Sequence, residues 1–182
     1  MNAVELLQRL HRHRACVNGD LLTAAATLSD GQLRSPFRIG QGSIRKSLLH
    51  LYAAEYVWLE ALLGNDDPLL QGDLPGKLPG NQQGEGGITG LDDLRQKWSA
   101  LERRWVGHLA ALTPESLEDL VYKKSTSSGL GKRFGTRRGD VLLHVCTHAH
   151  YTAAQVVNML RQAGVDKLPE TMLISLARQE TT

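Results

Sequence analysis

The sequence predicts an all-α fold, a four-helix bundle with a long crossover loop and a small β-hairpin insert. Three observations lead to this prediction. Apolar residues recur at helical spacing in four long segments. A stretch rich in glycine and proline separates the second segment from the third, and a short run of strand-like composition precedes the fourth. Helices that must each bury one apolar face are expected to pack together as a bundle.

The first two long helices are predicted over about residues 2–28 and 44–63. The first carries apolar residues at spacings near three and four, which is the pattern of an amphipathic helix. Ser43 stands in a position to cap the start of the second helix, and Gly64 can supply the left-handed conformation that ends it. The chain between these helices, with several glycines and a proline, is predicted to be a loop.

The long loop follows the second helix, because the composition of residues 64–90 cannot sustain a helix interior. A loop of this length in a compact domain is often a functional lid. The remaining predicted elements are a third helix at about 91–111, a helical turn that begins at 113–116, a hairpin within 121–139, a fourth helix at about 138–164 and a tail helix at about 169–178.

Length, charge and composition limit the classes of protein to which this chain can belong. Its 182 residues suit one domain, 1–182, and a formal charge of +2 argues against a nucleic-acid partner. No apolar run approaches the roughly 18 residues of a membrane span, so no membrane partner and a cytoplasmic location are expected. Cys16 and Cys146 lack the spacing of a zinc site, and we expect both to be reduced and packed.

The histidines are the candidate site residues. His144 and His148 are four residues apart, so they stack on one face of the apolar fourth helix, where two imidazoles can bind one divalent ion or form a hydrogen-bonded buried pair. His50 is the other histidine in an apolar helical segment. His11 and His13 have arginine neighbours and point to different sides of the first helix, so they are interpreted as solvent-exposed residues without a role.

Two segments resemble a known family. The run SLLHLYAAEYVWLEALLG at 47–64 is similar to the second helix of DinB-like proteins. The run LLHVCTHAHYTAAQVVNMLRQAGV at 142–165 resembles their last core helix, whose pattern is His-x-x-x-His-x-x-x-His-Arg-Gly-Gln followed by Leu-Arg-x-x-Gly. The resemblance extends over most of the chain and implies the DinB-like form of the helical bundle.

The resemblance also implies a divalent metal, Zn or Ni, between helices two and four. The metal ligands of the family would fall on His50, on His148 and on position 152, where this chain has Thr152 instead of histidine. Three outcomes stay open. His144 replaces the missing ligand, or His50 and His148 bind metal weakly with water, or no metal binds. In the last case the histidines form a buried polar network with Tyr151, Thr152 and Gln155.

A basic hairpin offers a candidate substrate site. Residues 122–139 contain six Lys and Arg residues and no acidic residue, which indicates either a solvated surface or a rim on which Arg133 and Arg137 bind an anionic substrate. Tyr151 and Thr152 complete the predicted substrate-binding set.

The resemblance implies one of two functions. The first is a metal-dependent thiol S-transferase or hydrolase-like enzyme acting on a small molecule, for which no catalytic residue is assigned. The second is a metal-free binding or interaction protein that has lost the metal site. Similar bundles often pair, so a homodimer is also expected.

Overall fold

The computed structural model describes residues 1–180, and it confirms an all-α chain with one small β-hairpin. Most of the chain is helical, and the four longest helices are the four predicted from the sequence. The elements in chain order are α1 (Ala3–Ala25), α2 (Asp30–Arg34), α3 (Ile44–Leu62), α4 (Leu91–Ala110), a 3₁₀ helix (Glu115–Glu118), β1 (Leu120–Lys124), β2 (Arg133–Arg137), α5 (Arg138–Gln162) and α6 (Leu173–Gln179).

The helix ends follow from local side-chain chemistry. Asn2 and Glu5 form a capping box at the start of α1, each side chain bonding the backbone N–H of the other. The hydroxyl of Ser43 accepts the N–H of Lys46 at 3.2 Å, as expected for the residue that precedes α3. Gly64 has a φ of 99°, which confirms its left-handed conformation after α3.

The chain divides into two compact units. The first contains residues 1–48 together with the chain from residue 146 onward, and the second contains residues 49–145. In the first unit, the buried apolar residues come mainly from α1 and from the part of α5 that follows residue 146. Arg9 and Arg12 of α1 each form an ion pair of 2.9 Å with Glu180, which follows α6.

The second unit has a core built by α3, α4 and the start of α5. Trp98 and Trp105 of α4 are 3% and 0% exposed and anchor this core. The ring of Trp98 makes a T-shaped contact with the ring of Tyr52, with centroids 5.7 Å apart, and its indole N–H donates to the buried carboxylate of Glu55 at 3.0 Å. The hairpin is antiparallel, with Tyr122 opposite Gly135.

Two local expectations were wrong. The chain after Ser29 was predicted to be a turn and a loop, but Ser29 and Gln32 form a capping box that starts the short helix α2. Cys16 was expected to be packed, but its side chain is exposed on α1. Trp58 of α3 is half-buried, and the Nζ of Lys123 lies 5.3 Å from the centre of its ring.

Candidate functional site

His50 is held in one tautomer by the long loop. It lies half-buried on α3, and its Nδ1 is 2.8 Å from the carbonyl oxygen of Pro79. A carbonyl oxygen only accepts hydrogen bonds, so Nδ1 carries the proton and donates it. In the neutral ring, Nε2 then has a lone pair for a ligand, a proton or a metal ion.

The loop contacts the backbone of His50 at Gly80. Any other residue at this position would force the backbone to move. A Cβ at Gly80 would stand 2.6 Å from the Cα of His50. Gly80 also has a φ of 84°, which L-residues with side chains rarely adopt. The close approach of residue 80 therefore places the Pro79 carbonyl beside the imidazole.

A buried carboxylate fastens the same loop. Asp73 is 7% exposed, and it accepts the backbone N–H of Gly80 at 2.7 Å. It also accepts the backbone N–H of Gln82 at 2.9 Å and the side-chain amide of Gln82 at 2.7 Å. These three bonds to a charged acceptor give the long loop a defined conformation.

A small cavity lies between α3 and this loop. Its volume is about 130 Å³, and its walls include Val57, Leu70, Asp73 and Pro79. Pockets that enclose whole organic ligands commonly span about 300–1,000 Å³. The cavity is therefore suited to a few water molecules or a small group and not to a complete substrate.

His144 lies at the start of α5 against Trp58. The two ring centroids are 5.3 Å apart with planes at 72°, an edge-to-face contact. The side chain reaches solvent, yet desolvation of the ring lowers the pKa of His144 below its ordinary value. The imidazole is therefore largely neutral near neutral pH.

Lys123 is a site residue that the sequence analysis did not single out. Its side chain is 8% exposed, and its Nζ lies 5.3 Å from the centre of the Trp58 ring. Burial lowers the pKa of the ammonium group, and a weaker attraction to Asp67 opposes that effect. The signal was present in the sequence, because strand alternation puts Lys123 on the same face as the buried Val121.

The other predicted site residues on α5 belong to the first unit. His148 is half-buried, and Thr152 is 3% exposed, so its hydroxyl lies in the interior. Tyr151 is 67% exposed. Within this unit, Thr152 is therefore an interior residue and Tyr151 a surface residue.

The two predicted substrate-binding arginines already have acidic partners. Arg133 Nε lies 2.7 Å from a carboxylate oxygen of Asp66. Arg137 Nε lies 3.2 Å from Asp140, and its Nη1 lies 3.6 Å from Glu118. Glu118 and Asp140 flank the hairpin in the sequence and Asp66 comes from the long loop, so the hairpin sequence alone looked uncompensated. The role of Arg133 and Arg137 in substrate binding stays a prediction.

Three polar residues on one face of α1 are buried, which the sequence analysis did not predict. His11 and Arg14 are 0% and 3% exposed, and Asn18 is 4% exposed. The interpretation of His11 as a solvent-exposed residue was therefore wrong. Spacings of three and four place these residues on the same helix face as Leu7 and Leu21, a signal that was overlooked because the neighbouring arginines suggested a surface.

The positions of the potential metal-binding side chains indicate whether the described residues could hold a metal ion. Among residues 1–180, the structure contains no group of three or more His, Cys, Asp or Glu side chains that could hold a metal ion. His50 and His144 lie in the second unit and His148 in the first, so metal binding by these three histidines stays a prediction.

A family model describes almost the whole chain. The model of the DinB family matches residues 1–181. This chain belongs to the DinB family. The match confirms the resemblance seen in the second and last core helices, and the DinB-like fold agrees with the helices and hairpin described above. A comparison with curated proteins found none that matches this DinB-family chain. No helix in the described part of the chain is long and apolar enough to span a membrane.

Proposed function

We propose that this DinB-family chain is a metal-free small-molecule binding protein. The carrying observation is that Thr152 stands where the family pattern has its third metal ligand, and that this buried side chain ends in a hydroxyl instead of an imidazole. Two neutral imidazoles rarely hold Zn or Ni as firmly as three.

His50 retains a use without metal. The bond from Nδ1–H to the Pro79 carbonyl assigns the acceptor role to Nε2, which suits a ligand that donates from a hydroxyl, amine or thiol. The surrounding loop, fastened by Asp73, keeps the ring in one orientation without a metal ion.

Metal content tests the proposal. Protein purified without a histidine tag is expected to contain well under one equivalent of Zn or Ni by elemental mass spectrometry. Thr152→His restores the histidine of the family pattern and is expected to raise the metal content towards one equivalent. Tyr151→His is the matched control, because this neighbouring side chain is exposed and should add no metal. Stoichiometric metal in the wild type that disappears in His148→Ala would refute the metal-free proposal.

A second candidate is the metal-dependent thiol S-transferase or hydrolase-like enzyme. It is favoured by the bond from His50 to Pro79, because metal-binding imidazoles commonly donate their other N–H to a carbonyl or carboxylate. In this candidate His50 and His148, with His144, would bind Zn or Ni, and the ion would act as a Lewis acid on a thiol or water. Thiol-transfer activity that requires added metal and is lost in His50→Ala would favour the enzyme.

A cytoplasmic location and a homodimer belong to the same proposal. The homodimer is tested by light scattering coupled to gel filtration, in which a molar mass near twice 20.0 kDa supports it and a monomer mass refutes it.

A further inference from the structure

Lys123 differs from most basic side chains of the hairpin. Lys124, Arg133, Arg137 and Arg138 each form an ion pair with a carboxylate. Lys123 has no such ion pair with any of residues 1–180, although only 8% of its surface is exposed. Because a buried charge is costly without compensation, an ammonium group in this position needs a partner.

The neighbours of Lys123 satisfy only part of its bonding capacity. Its Nζ donates to the carbonyl oxygen of Lys124 at 3.0 Å, and the face of Trp58 lies 5.3 Å away. An ammonium group has three N–H donors, so acceptors outside residues 1–180 can take up to two more bonds. Asp67 attracts Lys123 electrostatically, but its carboxylate is hydrogen-bonded to Lys124 at 2.7 Å.

Lys123 and Trp58 lie close to the protein surface. Trp58 is half-buried and touches His144, whose side chain is exposed. Lys123 supplies an ammonium group to this cluster, and an indole face lies beside it.

We propose that Lys123, Trp58 and His144 form a subsite for a small organic monocarboxylate. The carboxylate accepts hydrogen bonds from the ammonium group of Lys123, and the apolar body of the acid packs on the indole of Trp58. One cation matches one negative charge, whereas a phosphate dianion is usually bound by several donors. The inference rests on the proposed binding function and adds the chemical class of the ligand.

Benzoate is the probe for this subsite, and benzamide is its neutral counterpart of nearly the same shape. Titration calorimetry in EDTA is expected to show that benzoate binds at least about tenfold more tightly than benzamide. Lys123→Met should weaken benzoate by about tenfold or more, the usual effect of losing a hydrogen bond to a charged group. Lys124→Met, on the same strand but exposed, should leave the affinity for benzoate unchanged.

Equal binding of benzoate by the wild type and a folded Lys123→Met variant would overturn the proposal. Equal affinity for benzamide, or tighter binding of inorganic phosphate, would also overturn it. If Lys123→Met does not fold, a pH titration of the lysine Cε resonances of the wild type by NMR provides the test. Bound benzoate must raise the pKa of one lysine, and an unchanged pKa rejects the subsite.

The metal measurement tests the metal-free function and the benzoate measurement tests the subsite, so either hypothesis can be refuted without the other. A wild type that contains stoichiometric metal yet binds benzoate through Lys123 refutes the metal-free function and keeps the subsite. A metal-free wild type with no Lys123-dependent binding keeps the function and refutes the subsite.

Discussion

Tyr52 is buried on α3, where its ring makes a T-shaped contact with the ring of Trp98. Desolvation, with a smaller contribution from Tyr56, raises the pKa of Tyr52 to about 12. The folded state therefore prefers the neutral phenol. Because this pKa is above the ordinary value of about 10, the stabilisation is complete below pH 10 and is lost as the pH rises towards 12.

An ultraviolet titration tests this residue. We expect one tyrosine of the folded protein to ionise near pH 12, and we expect that step to disappear in Tyr52→Phe. Tyr151→Phe is the control, since Tyr151 is 67% exposed and lies outside the α3 core. A high-pH step that persists in Tyr52→Phe would contradict the assignment.

For individual residues, the sequence indicated which residue types could form a site better than it indicated which residues contact one another. His50 could be recognised as a histidine in an apolar helix, but its partner Pro79 is 29 positions away along the chain. Loop geometry decides that pairing, and local spacing carries no information about it. His11 shows a different failure, since its helix face predicted burial while its charged neighbours predicted exposure, and the face was decisive.

The long loop is the element whose structure the sequence least revealed. Its lack of helix and strand was predicted correctly from glycine and proline. The hydrogen bonds that hold the loop to Asp73 were not predicted, because the three donors from residues 80 and 82 converge only after the loop folds. The helices were easier to predict, because Ser43 and Gly64 mark the ends of α3 by local chemistry alone.

Removing the Asp73 carboxylate should loosen this loop. Asp73→Ala leaves three hydrogen-bond donors without their acceptor, so we expect the free energy of unfolding in urea to fall by about 2–3 kcal/mol. Hydrogen exchange at the amides of Gly80 and Gln82 should accelerate. Asp66→Ala is the control on the same loop, where an exposed ion pair with Arg133 should contribute less than about 1 kcal/mol. Equal losses in the two variants would show that burial of Asp73 has no special effect.

Across the whole molecule, histidines couple folding to pH. Desolvation is the largest cause that lowers the pKa values of His13, His108 and His144. At the end of α4, burial and the positive charge of Arg138 disfavour the protonated form of His108 and so lower its pKa. The unfolded chain binds protons on these residues at higher pH than the folded protein does.

Stability should therefore fall as the pH decreases below about 6.5, the ordinary pKa of histidine. We expect a lower free energy of unfolding in urea at pH 5 than at pH 7.5. His108→Gln and His144→Gln should each flatten this dependence, since an amide cannot take up the proton. Stability that is constant or greater at pH 5 would contradict the prediction.

At the scale of the whole chain, composition and periodicity were sufficient for the fold class and the family. They were insufficient for the site. The His-x-x-x-His spacing of His144 and His148 indicates a pair of possible metal ligands, but whether a third donor joins them depends on tertiary structure. Lys123 was recognisable only as one member of a basic run until its strand face was known.

The contact between Gly80 and α3 also matters for protein engineering. A side chain at position 80 would wedge the loop away from the helix, whereas a Cβ at Gly76 would meet no atom within 4 Å. A reporter peptide or a surface tether is therefore best inserted beside Gly76. From there, a fluorescent label would sit three residues from the carbonyl that orients His50 and could report on events at that imidazole without displacing it.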